Sequence, residues 1–515
     1  MTRNRQFPDW AVLLVCCAAQ FMVVLDFSIV NVALPAMRHS LGLSTTGQQW
    51  VVNAYALTFA GFLLWGGRAA DLLGRKRVFL TGLGLFTFAS LVGGFAQTGA
   101  ELVGARALQG IGGAVLAPAT LSLLTTTYTD TRSRAKALGV WSATAASGGA
   151  AGALLGGVLT QLVDWRAVLF VNVPIGIALL ALASQALRPA AARAATTVRD
   201  LDLAGTLTGT AGLTVLVYGI VSTDTHAWGS AHTVGALLVA AALLATFVAV
   251  EARFASNPLM PLRIFANRSL SAANAIAVMV GAVLFGSFFF QSLYLQQVNG
   301  YGALRAGLSF LPQALVTLAT SLSVARLVRR TGPRRILAVG PLIAAGGLLW
   351  LAQLRPGSGY LADVLGPFVL IGVGMGTCFV PMTLAATSDV APRDQGLASG
   401  IVNTSRFVGG ALGLAVMSTL ATSRATQLLT GRLVAGDGEV SLALRDRALT
   451  FGYDRAFLIA AALCVLAAAL GNLVPRVLLA ARPSPVADPR ALDLATAAEP
   501  AGELHEAGEA VLVEM

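Results

Sequence analysis

The feature that most constrains this chain is a series of fourteen apolar runs, each long enough to cross a lipid bilayer as a helix. No water is available inside a bilayer, so every backbone polar group must be paired within the segment, and such runs fold as helices. Only 11% of the 515 residues are charged and mean hydropathy is +0.75, which excludes an ordinary soluble enzyme and a disordered protein. We predict an all-α polytopic membrane protein with 14 transmembrane helices. The predicted spans are 10–32, 48–68, 78–97, 101–125, 136–161, 166–187, 203–221, 233–252, 269–295, 305–325, 336–354, 361–385, 396–421 and 456–475.

The basic residues predict how these helices are oriented. If the N-terminus is cytoplasmic, 24 of the 35 Lys and Arg residues fall in inner segments, 9 fall in outer loops, and Arg106 and Arg406 lie within spans. Cytoplasmic loops are enriched in Lys and Arg. We therefore expect a multi-pass protein of the cell inner (cytoplasmic) membrane with both termini cytoplasmic. The net charge of +11 is then an orientation signal, and we expect no nucleic-acid partner.

Two internal repeats divide the chain into halves. The segment 67–77 resembles 325–335 at an offset of 258, and 113–121 resembles 376–384 at an offset of 263. Similar offsets predict two six-helix bundles of the same orientation plus an inserted helix pair, and parallel halves around a central site are a transporter architecture. The predicted parts are an N-terminal bundle (1–190), inserted helices 7 and 8 with flanking loops (191–265), a C-terminal bundle (266–480) and a disordered cytoplasmic tail (481–515).

Two residues inside the spans are candidates for proton coupling, Asp26 and Arg106. Asp26 is the only carboxylate well inside a span, and ionisable residues in membrane helices are costly and usually functional. At 1.5 Å per residue, Asp26 lies about 24 Å beyond Trp10, and Arg106 lies about 8 Å below the outer surface. Both therefore lie at a similar level in the outer half. A static, hydrogen-bonded Asp26 and an Arg106 that reaches the surface are the alternatives.

The segment 67–77 is a candidate cytoplasmic gate. An acid followed by basic residues around a short turn can pair across the ends of neighbouring helices, and such pairs can hold one state closed. The alternative is a tight turn with ordinary cytoplasmic positive charge. The gate residues are Gly67, Asp71, Gly74, Arg75, Lys76 and Arg77.

Helix 5 carries small residues at a spacing of four, which allows close approach of another helix. This predicts a packing seam, and the pattern fits either static packing or a sliding contact. The seam residues are Gly148, Gly152, Gly156 and Gly157. A possible substrate cavity is predicted from aromatic and polar residues within spans, although aromatic residues at helical spacing are more often simple packing. The cavity residues are Tyr55, Trp141, Phe289, Asn403 and Arg406.

The sequence contains no residue pattern that indicates an enzyme or a metal site. The four Cys lie in apolar runs without paired spacing, and the four His fall in loops or the tail. Catalytic-serine, zinc-protease and phosphate-loop patterns are absent from the sequence. The outer segment 422–455, with its mixed charge, is either a small hairpin or helix pair at the outer mouth, or a solvated loop.

The motifs above resemble those of the fourteen-helix drug:proton antiporter branch of the major facilitator superfamily. Segment 67–77 is similar to the loop 2–3 signature of that family, and 25–35 to the helix-1 signature of the branch. Arg106 with Gln109 and Gly110 is similar to the helix-4 signature, whose Arg is associated with proton transfer. The chain departs from the helix-5 signature at Ala153, where the family has Pro.

The resemblance implies a proton-coupled exporter of amphipathic small molecules such as antibiotics. Its partners would be the substrate, protons and membrane lipid. It would need no cofactor beyond the proton gradient, and we expect a monomer. A proton-coupled symporter that imports a small metabolite is the alternative on the same fold. Because Asp26 is a single buried acid, we expect neutral or monocationic substrates.

Overall fold

The structure is a computed structural model that describes residues 8–187, 201–255, 258–388, 390–391, 394–434 and 441–475. These residues are almost entirely helical, and we number the membrane-spanning helices in chain order. The first half contains α1 (Asp9–Leu41), α2 (Thr45–Leu73), α3 (Arg75–Gly94), α4 (Gly99–Thr127), α5 (Thr131–Leu162) and α6 (Ala167–Ala186). The inserted pair is α7 (Leu203–Val221) and α8 (Ala231–Phe254). The second half contains α9 (Arg268–Val298), α10 (303–331), α11 (333–351), α12 (Tyr360–Thr387), α13 (Gln395–Val434) and α14 (Leu442–Gly471).

Helices α10 and α11 come from one continuous helical segment that breaks at Gly332. The whole segment Ala303–Leu351 has 49 residues, which at 1.5 Å per residue is about 74 Å, more than twice a bilayer core. Gly332 has φ 78° and ψ 160°, a conformation that favours glycine. Thirteen helical segments in the described ranges are long and apolar enough to span, and this break makes fourteen, as predicted.

The break at Gly332 has a counterpart in the first half. Gly74 separates α2 from α3 with φ 96° and ψ 126°. The two glycines are 258 residues apart, which is the offset of the repeat at 67–77 and 325–335. The structure therefore places a positive-φ glycine at the same point of each copy.

Side chains at the helix starts explain several boundaries, because a Ser, Thr or Asp oxygen can accept a hydrogen bond from an otherwise unpaired backbone N–H. Such caps precede six of the described helices, at Ser44, Thr98, Asp130, Asp202, Ser230 and Ser441. The last of them explains a difference from the predicted span 456–475. Ser441 accepts from the Leu444 N–H and starts α14 fourteen residues earlier.

The segment 422–455 is therefore not an extended loop. Helix α13 continues to Val434, and α14 begins at Leu442, so the described part of this segment is a pair of helical extensions. Of the two alternatives for the segment, the helix pair is the one observed. The predicted tail, 481–515, lies outside the described residues.

Each half is held together by contacts between pairs of helices. In the first half α1 packs against α5, and both α2 and α3 pack against α4. In the second half α9 packs against α13 and α14. The inserted helix α7 contacts α2 of the first half and α13 of the second. Gly61 allows the first of these contacts, since a Cβ there would overlap the side chain of Thr210.

The two halves are joined at one end of the bundle. We call the end at which α1 begins the near end, and the end at which α1 finishes the far end. Four hydrogen bonds connect the halves in the described ranges, and their donor–acceptor pairs are Ser292–Asn31, Gln296–Val32, Gln49–Ser418 and Leu304–Gln161. All four lie toward the far end, so the structure has a closed far end.

Candidate functional site

Asp26 of α1 and Arg106 of α4 form a buried ion pair. Arg106 Nη1 lies 2.6 Å from Asp26 Oδ2, and the side chains of Arg106 and Asp26 are 2% and 0% exposed. The two residues are 80 positions apart in the chain, so helix packing brings them together. The depth calculation from the sequence placed them at the same level, and the structure shows that they meet. Their part in proton transfer stays a prediction.

Two amides complete the surroundings of this pair. Gln109 Oε1 accepts from Arg106 Nη1 at 2.6 Å, and its Nε2 donates to Asp26 Oδ1 at 2.7 Å. Asn172 Nδ2 also donates to Asp26 Oδ1, at 3.0 Å. Ser90 Oγ accepts a further bond from Gln109 at 2.6 Å. Both oxygens of Asp26 are therefore engaged by donors from α4 and α6.

Glycines of α4 make this network possible. A Cβ at Gly110 would lie 2.5 Å from the carbonyl oxygen of Tyr55, and one at Gly112 would lie 2.6 Å from the Phe86 nitrogen. Without these Cβ atoms α4 approaches both α2 and α3. Arg106 Nε can then donate to the Val51 carbonyl at 3.3 Å. Sequence reasoning selected Arg106 but gave no site role to Asn172 or to Gln109, although Gln109 stands beside Arg106 in the helix-4 motif.

An aromatic cluster lies beside the ion pair and joins the two halves. We call it the central aromatic cluster, and it consists of Phe27, Tyr55, Phe59, Phe285 and Phe407. The Phe27 and Phe285 ring centres are 4.4 Å apart, as are those of Phe59 and Phe407. The Arg106 guanidinium stacks on the Tyr55 ring at 4.4 Å. Helices α1, α2, α9 and α13 therefore meet in one apolar surface.

Of the five predicted cavity residues, two lie at this surface and a third lies next to one of them. Tyr55 is buried within the central aromatic cluster. Arg406 is partly accessible, and its guanidinium carbon lies 5.6 Å from the Phe407 ring centre. Asn403 lies one turn before Arg406 on α13, and its Nδ2 donates to the Ser399 carbonyl at 3.3 Å.

The other two predicted cavity residues lie elsewhere. Trp141 is partly exposed on α5, and its Nε1 donates to Thr120 Oγ1 at 3.1 Å. Phe289 is fully buried in the second half, where its ring packs edge-on against Phe290 at 5.3 Å. In this conformation Phe289 is a core residue of α9. This is the alternative of simple packing that the sequence left open for the aromatic residues.

The predicted gate residues tie α2 and α3 to neighbouring helices at the near end. Gly74 forms the turn, and Arg75 Nη2 lies 3.8 Å from Asp71 Oδ1 across it. Arg75 Nε also donates to Ser122 Oγ of α4 at 2.6 Å. The acid–base pairing across two helix ends is therefore present.

The remaining gate residues extend these contacts. Lys76 Nζ donates to the Ser184 carbonyl of α6 at 2.5 Å. A Cβ at Gly67 would lie 3.6 Å from Pro118 Cβ, which is ordinary contact, and Arg77 is exposed. The described contacts of these residues hold the first half together, and control of a gate stays a prediction.

The glycine seam of α5 has two faces. Cβ atoms at Gly148, Gly152 and Gly156 would lie 3.0, 2.7 and 2.7 Å from the carbonyl oxygens of Phe21, Leu25 and Ile29. A Cβ at Gly157 would lie 2.6 Å from the Ala303 carbonyl oxygen. Three glycines thus face α1 within the first half, and the fourth faces α10 of the second half.

A second pair of buried acids lies at the near end of the inserted helices. Glu251 Oε2 accepts from the Met260 N–H at 3.0 Å, and Asp202 Oδ1 accepts from the Gly205 N–H at 3.0 Å. Their other oxygens lie 2.9 and 2.7 Å from the position that a Cβ on Gly205 would take. The sequence alone does not indicate this arrangement, because the approach of Glu251 to Asp202 depends on how α7 and α8 pack.

The amino-acid sequence is similar to those of antibiotic export and resistance proteins. The chain is 47% identical over 412 residues to the cephamycin export protein CmcT of Amycolatopsis lactamdurans, covering 80% of this chain and 85% of the relative. It is 42% identical over 423 residues to the puromycin resistance protein pur8 of Streptomyces alboniger, covering 81% and 83%. A tetracenomycin C resistance and export protein of Streptomyces glaucescens is 34% identical over 415 residues, covering 81% and 76%.

Solved structures share the fold. A bacterial homologue of the human lysosomal transporter Spinster, in an inward-facing and unoccupied conformation, superimposes with a TM-score of 0.66. It is 18% identical, and the match covers 90% of this chain and 96% of that structure. The sequence profile of the Major Facilitator Superfamily matches residues 16–414. The chain therefore belongs to the Major Facilitator Superfamily and is a membrane transporter rather than an enzyme.

Proposed function

We propose that this protein is a proton-coupled efflux transporter that exports amphipathic small molecules, such as antibiotics, across the cytoplasmic membrane. The similarity to relatives whose names describe antibiotic export or resistance supports the substrate class. The observation that carries proton coupling is the buried pair of Asp26 and Arg106, 2.6 Å apart. The transporter works as a monomer, and the proton gradient supplies the energy without a cofactor.

The pair can act as a charge switch. In this structure Arg106 balances the charge of the Asp26 carboxylate. Two side-chain amides, those of Gln109 and Asn172, donate hydrogen bonds to the same carboxylate. A movement that separated Arg106 from Asp26 would leave a carboxylate without a counterion in the membrane. Such a group is costly unless it takes up a proton. Reformation of the pair then releases the proton, so helix movement and proton exchange become linked.

The closed far end suggests which state the structure represents. The distribution of Lys and Arg supports a cytoplasmic near end, with both termini on that side. In that orientation the four hydrogen bonds between the halves seal the outer surface, and substrate enters from the cytoplasm. Rocking of the halves about the central aromatic cluster would then release substrate on the other side.

A proton-coupled symporter is the alternative on this fold, and transport direction separates the two. The test uses everted membrane vesicles energised with a proton gradient, together with a susceptibility panel in an efflux-deficient host. An exporter concentrates substrate inside everted vesicles and raises the inhibitory concentration of its substrates. Depletion of substrate from the vesicles would favour import.

Proton coupling is tested separately in proteoliposomes. Asp26→Asn resembles the protonated form permanently, so we expect it to abolish substrate-driven proton movement while downhill substrate exchange continues. Asp164→Asn is the matched control, because it removes the acid of an exposed ion pair. Wild-type proton movement in Asp26→Asn would show that another group carries the proton.

A further inference from the structure

Arg406 presents a charge that the proposed proton switch does not use. It lies eleven residues after the start of α13 at Gln395, about 17 Å along the helix, which places it deep within the span. Its guanidinium carbon lies 5.5 Å from the Phe379 ring centre and 5.6 Å from that of Phe407. The side chain is partly accessible.

The guanidinium has no acidic partner among the described residues. The ion pairs found there are Asp71–Arg75, Asp26–Arg106 and Asp164–Arg166. In the same ranges Arg406 has no side-chain hydrogen bond, and its guanidinium lies near the rings of Phe379 and Phe407. Arg carries five N–H donors and keeps its charge in proteins. An unpaired cation inside a membrane is costly, so an anion from outside the chain would stabilise it.

The position of Phe407 locates this charge at the boundary between the halves. Its ring centre lies 4.4 Å from that of Phe59 and 6.1 Å from that of Phe27, which belong to the first half. It also lies 5.5 Å from the Phe285 ring centre in the second half. Arg406 therefore adjoins the central aromatic cluster at the place where substrate would meet both halves.

Two guanidinium groups within the membrane flank this cluster and differ in charge balance. Arg106 stacks on Tyr55 and is neutralised by Asp26, whereas Arg406 lies 5.6 Å from the Phe407 ring centre and is not neutralised within the described residues. The site therefore combines an apolar aromatic surface with one uncompensated positive charge. The planar guanidinium fork matches a carboxylate, with which it can form two parallel hydrogen bonds.

We infer that Arg406 is the anion-binding group of the substrate site, and that this transporter takes amphipathic organic monoanions whose carboxylate binds Arg406. The apolar body of the ligand lies on the central aromatic cluster. This inference rests on the proposed efflux function and replaces the sequence-based expectation of neutral or monocationic substrates. The reason is that Asp26, the acid on which that expectation depended, is occupied by Arg106.

Equilibrium binding to the purified full chain in lipid nanodiscs tests the inference without a proton gradient or transport. The probes are dansyl-phenylalanine, a carboxylate, and its methyl ester, which has the same apolar body without the charge. We expect the wild type to bind the acid at least tenfold more tightly than the ester, since a hydrogen bond to a charged group contributes about that factor. Arg406→Gln should bind both probes equally, and Arg406→Lys should keep part of the preference.

Two further variants keep the test decisive. Arg447→Gln removes an exposed guanidinium that lies 5.7 Å from the Phe451 ring centre, and it should retain the wild-type preference. Asn403→Asp places a carboxylate one turn from Arg406 on the same helix face. It should abolish the preference even if Arg406→Gln does not fold.

The outcomes separate this inference from the proposed function. Equal binding of acid and ester by the wild type, or an unchanged preference in Arg406→Gln or Asn403→Asp, would overturn the role of Arg406, as would absence of binding of both probes. Preferential binding of the acid without export of it in everted vesicles would instead contradict efflux and leave the anion site standing.

Discussion

Removal of either charge from the Asp26–Arg106 pair should destabilise the protein, and by unequal amounts. The pair is almost completely shielded, with side chains 0% and 2% exposed, and loss of one partner of such a pair costs about 3–5 kcal/mol. In Asp26→Asn the guanidinium remains charged, because Arg does not lose its proton in proteins. Gln109 Oε1 and the Val51 carbonyl still accept from it, so we expect the lower figure, about 3 kcal/mol.

Arg106→Gln should cost less than Asp26→Asn. The remaining carboxylate keeps its bonds from Gln109 and Asn172 and can become neutral by taking up a proton. The double variant Asp26→Asn with Arg106→Gln removes both charges and leaves amides that can bond to each other. Its stability should return to within about 1 kcal/mol of the wild type, because replacing both members of a buried pair is often nearly neutral.

The assay is SDS-driven unfolding in mixed micelles, followed by far-ultraviolet circular dichroism. Asp164→Asn is the control, because its ion pair with Arg166 is 3.5 Å long and its side chain is 51% exposed, so its loss should cost about 0–1 kcal/mol. The reasoning is refuted if Asp26→Asn costs no more than the control. It is also refuted if the double variant is as unstable as the sum of the single variants.

Three further predictions follow from the contacts described. Asp71→Asn removes the 3.8 Å pair across the Gly74 turn and should lower the transport rate while substrate affinity stays within a few fold, as measured by parallel flux and binding assays. Gly152→Ala places a methyl group 2.7 Å from the Leu25 carbonyl oxygen, so it should lower stability by about 1–3 kcal/mol and slow transport; unchanged flux would show that α1 and α5 tolerate separation. Glu251→Gln should raise the apparent Tm at neutral pH, because a neutral amide facing Asp202 removes the electrostatic repulsion between two buried carboxyl groups. A fall in Tm would argue against the close approach of Glu251 and Asp202.

The sequence predicts the spans well because lipid imposes a simple rule: each apolar run must form a helix. It also predicts that Asp26 and Arg106 lie at a similar level, since both depths follow from helix rise and bilayer thickness. That the two side chains meet depends on how α1 and α4 pack. The partners of this pair are harder to predict. Gln109 and Asn172 are polar residues in apolar helices, and only the rotation and packing of α4 and α6 decide whether they face Asp26.

The boundaries of α13 and α14 show another limit of sequence reasoning. Charged residues such as Arg445 and Arg447 lie outside the apolar run of α14, yet they lie within its helix, because helix propensity and bilayer thickness are separate constraints. The Ser441 cap then starts α14 well before its apolar part. Hydropathy therefore locates the membrane-embedded portion of a helix and leaves its extension into water undetermined.

The two halves share a backbone design but differ in charge. Gly74 and Gly332 occupy equivalent turns with positive φ, and this conformation restricts the residue to glycine in both copies. The charges around the turn are not restricted in this way, and Arg329 stands in the second copy where Asp71 stands in the first. The same divergence occurs within the membrane, where the first half contains a neutralised guanidinium and the second half a guanidinium without an acid among the described residues. Backbone geometry and charge are thus constrained independently, which is consistent with the proposed roles of the first half in proton exchange and of the second half in substrate recognition.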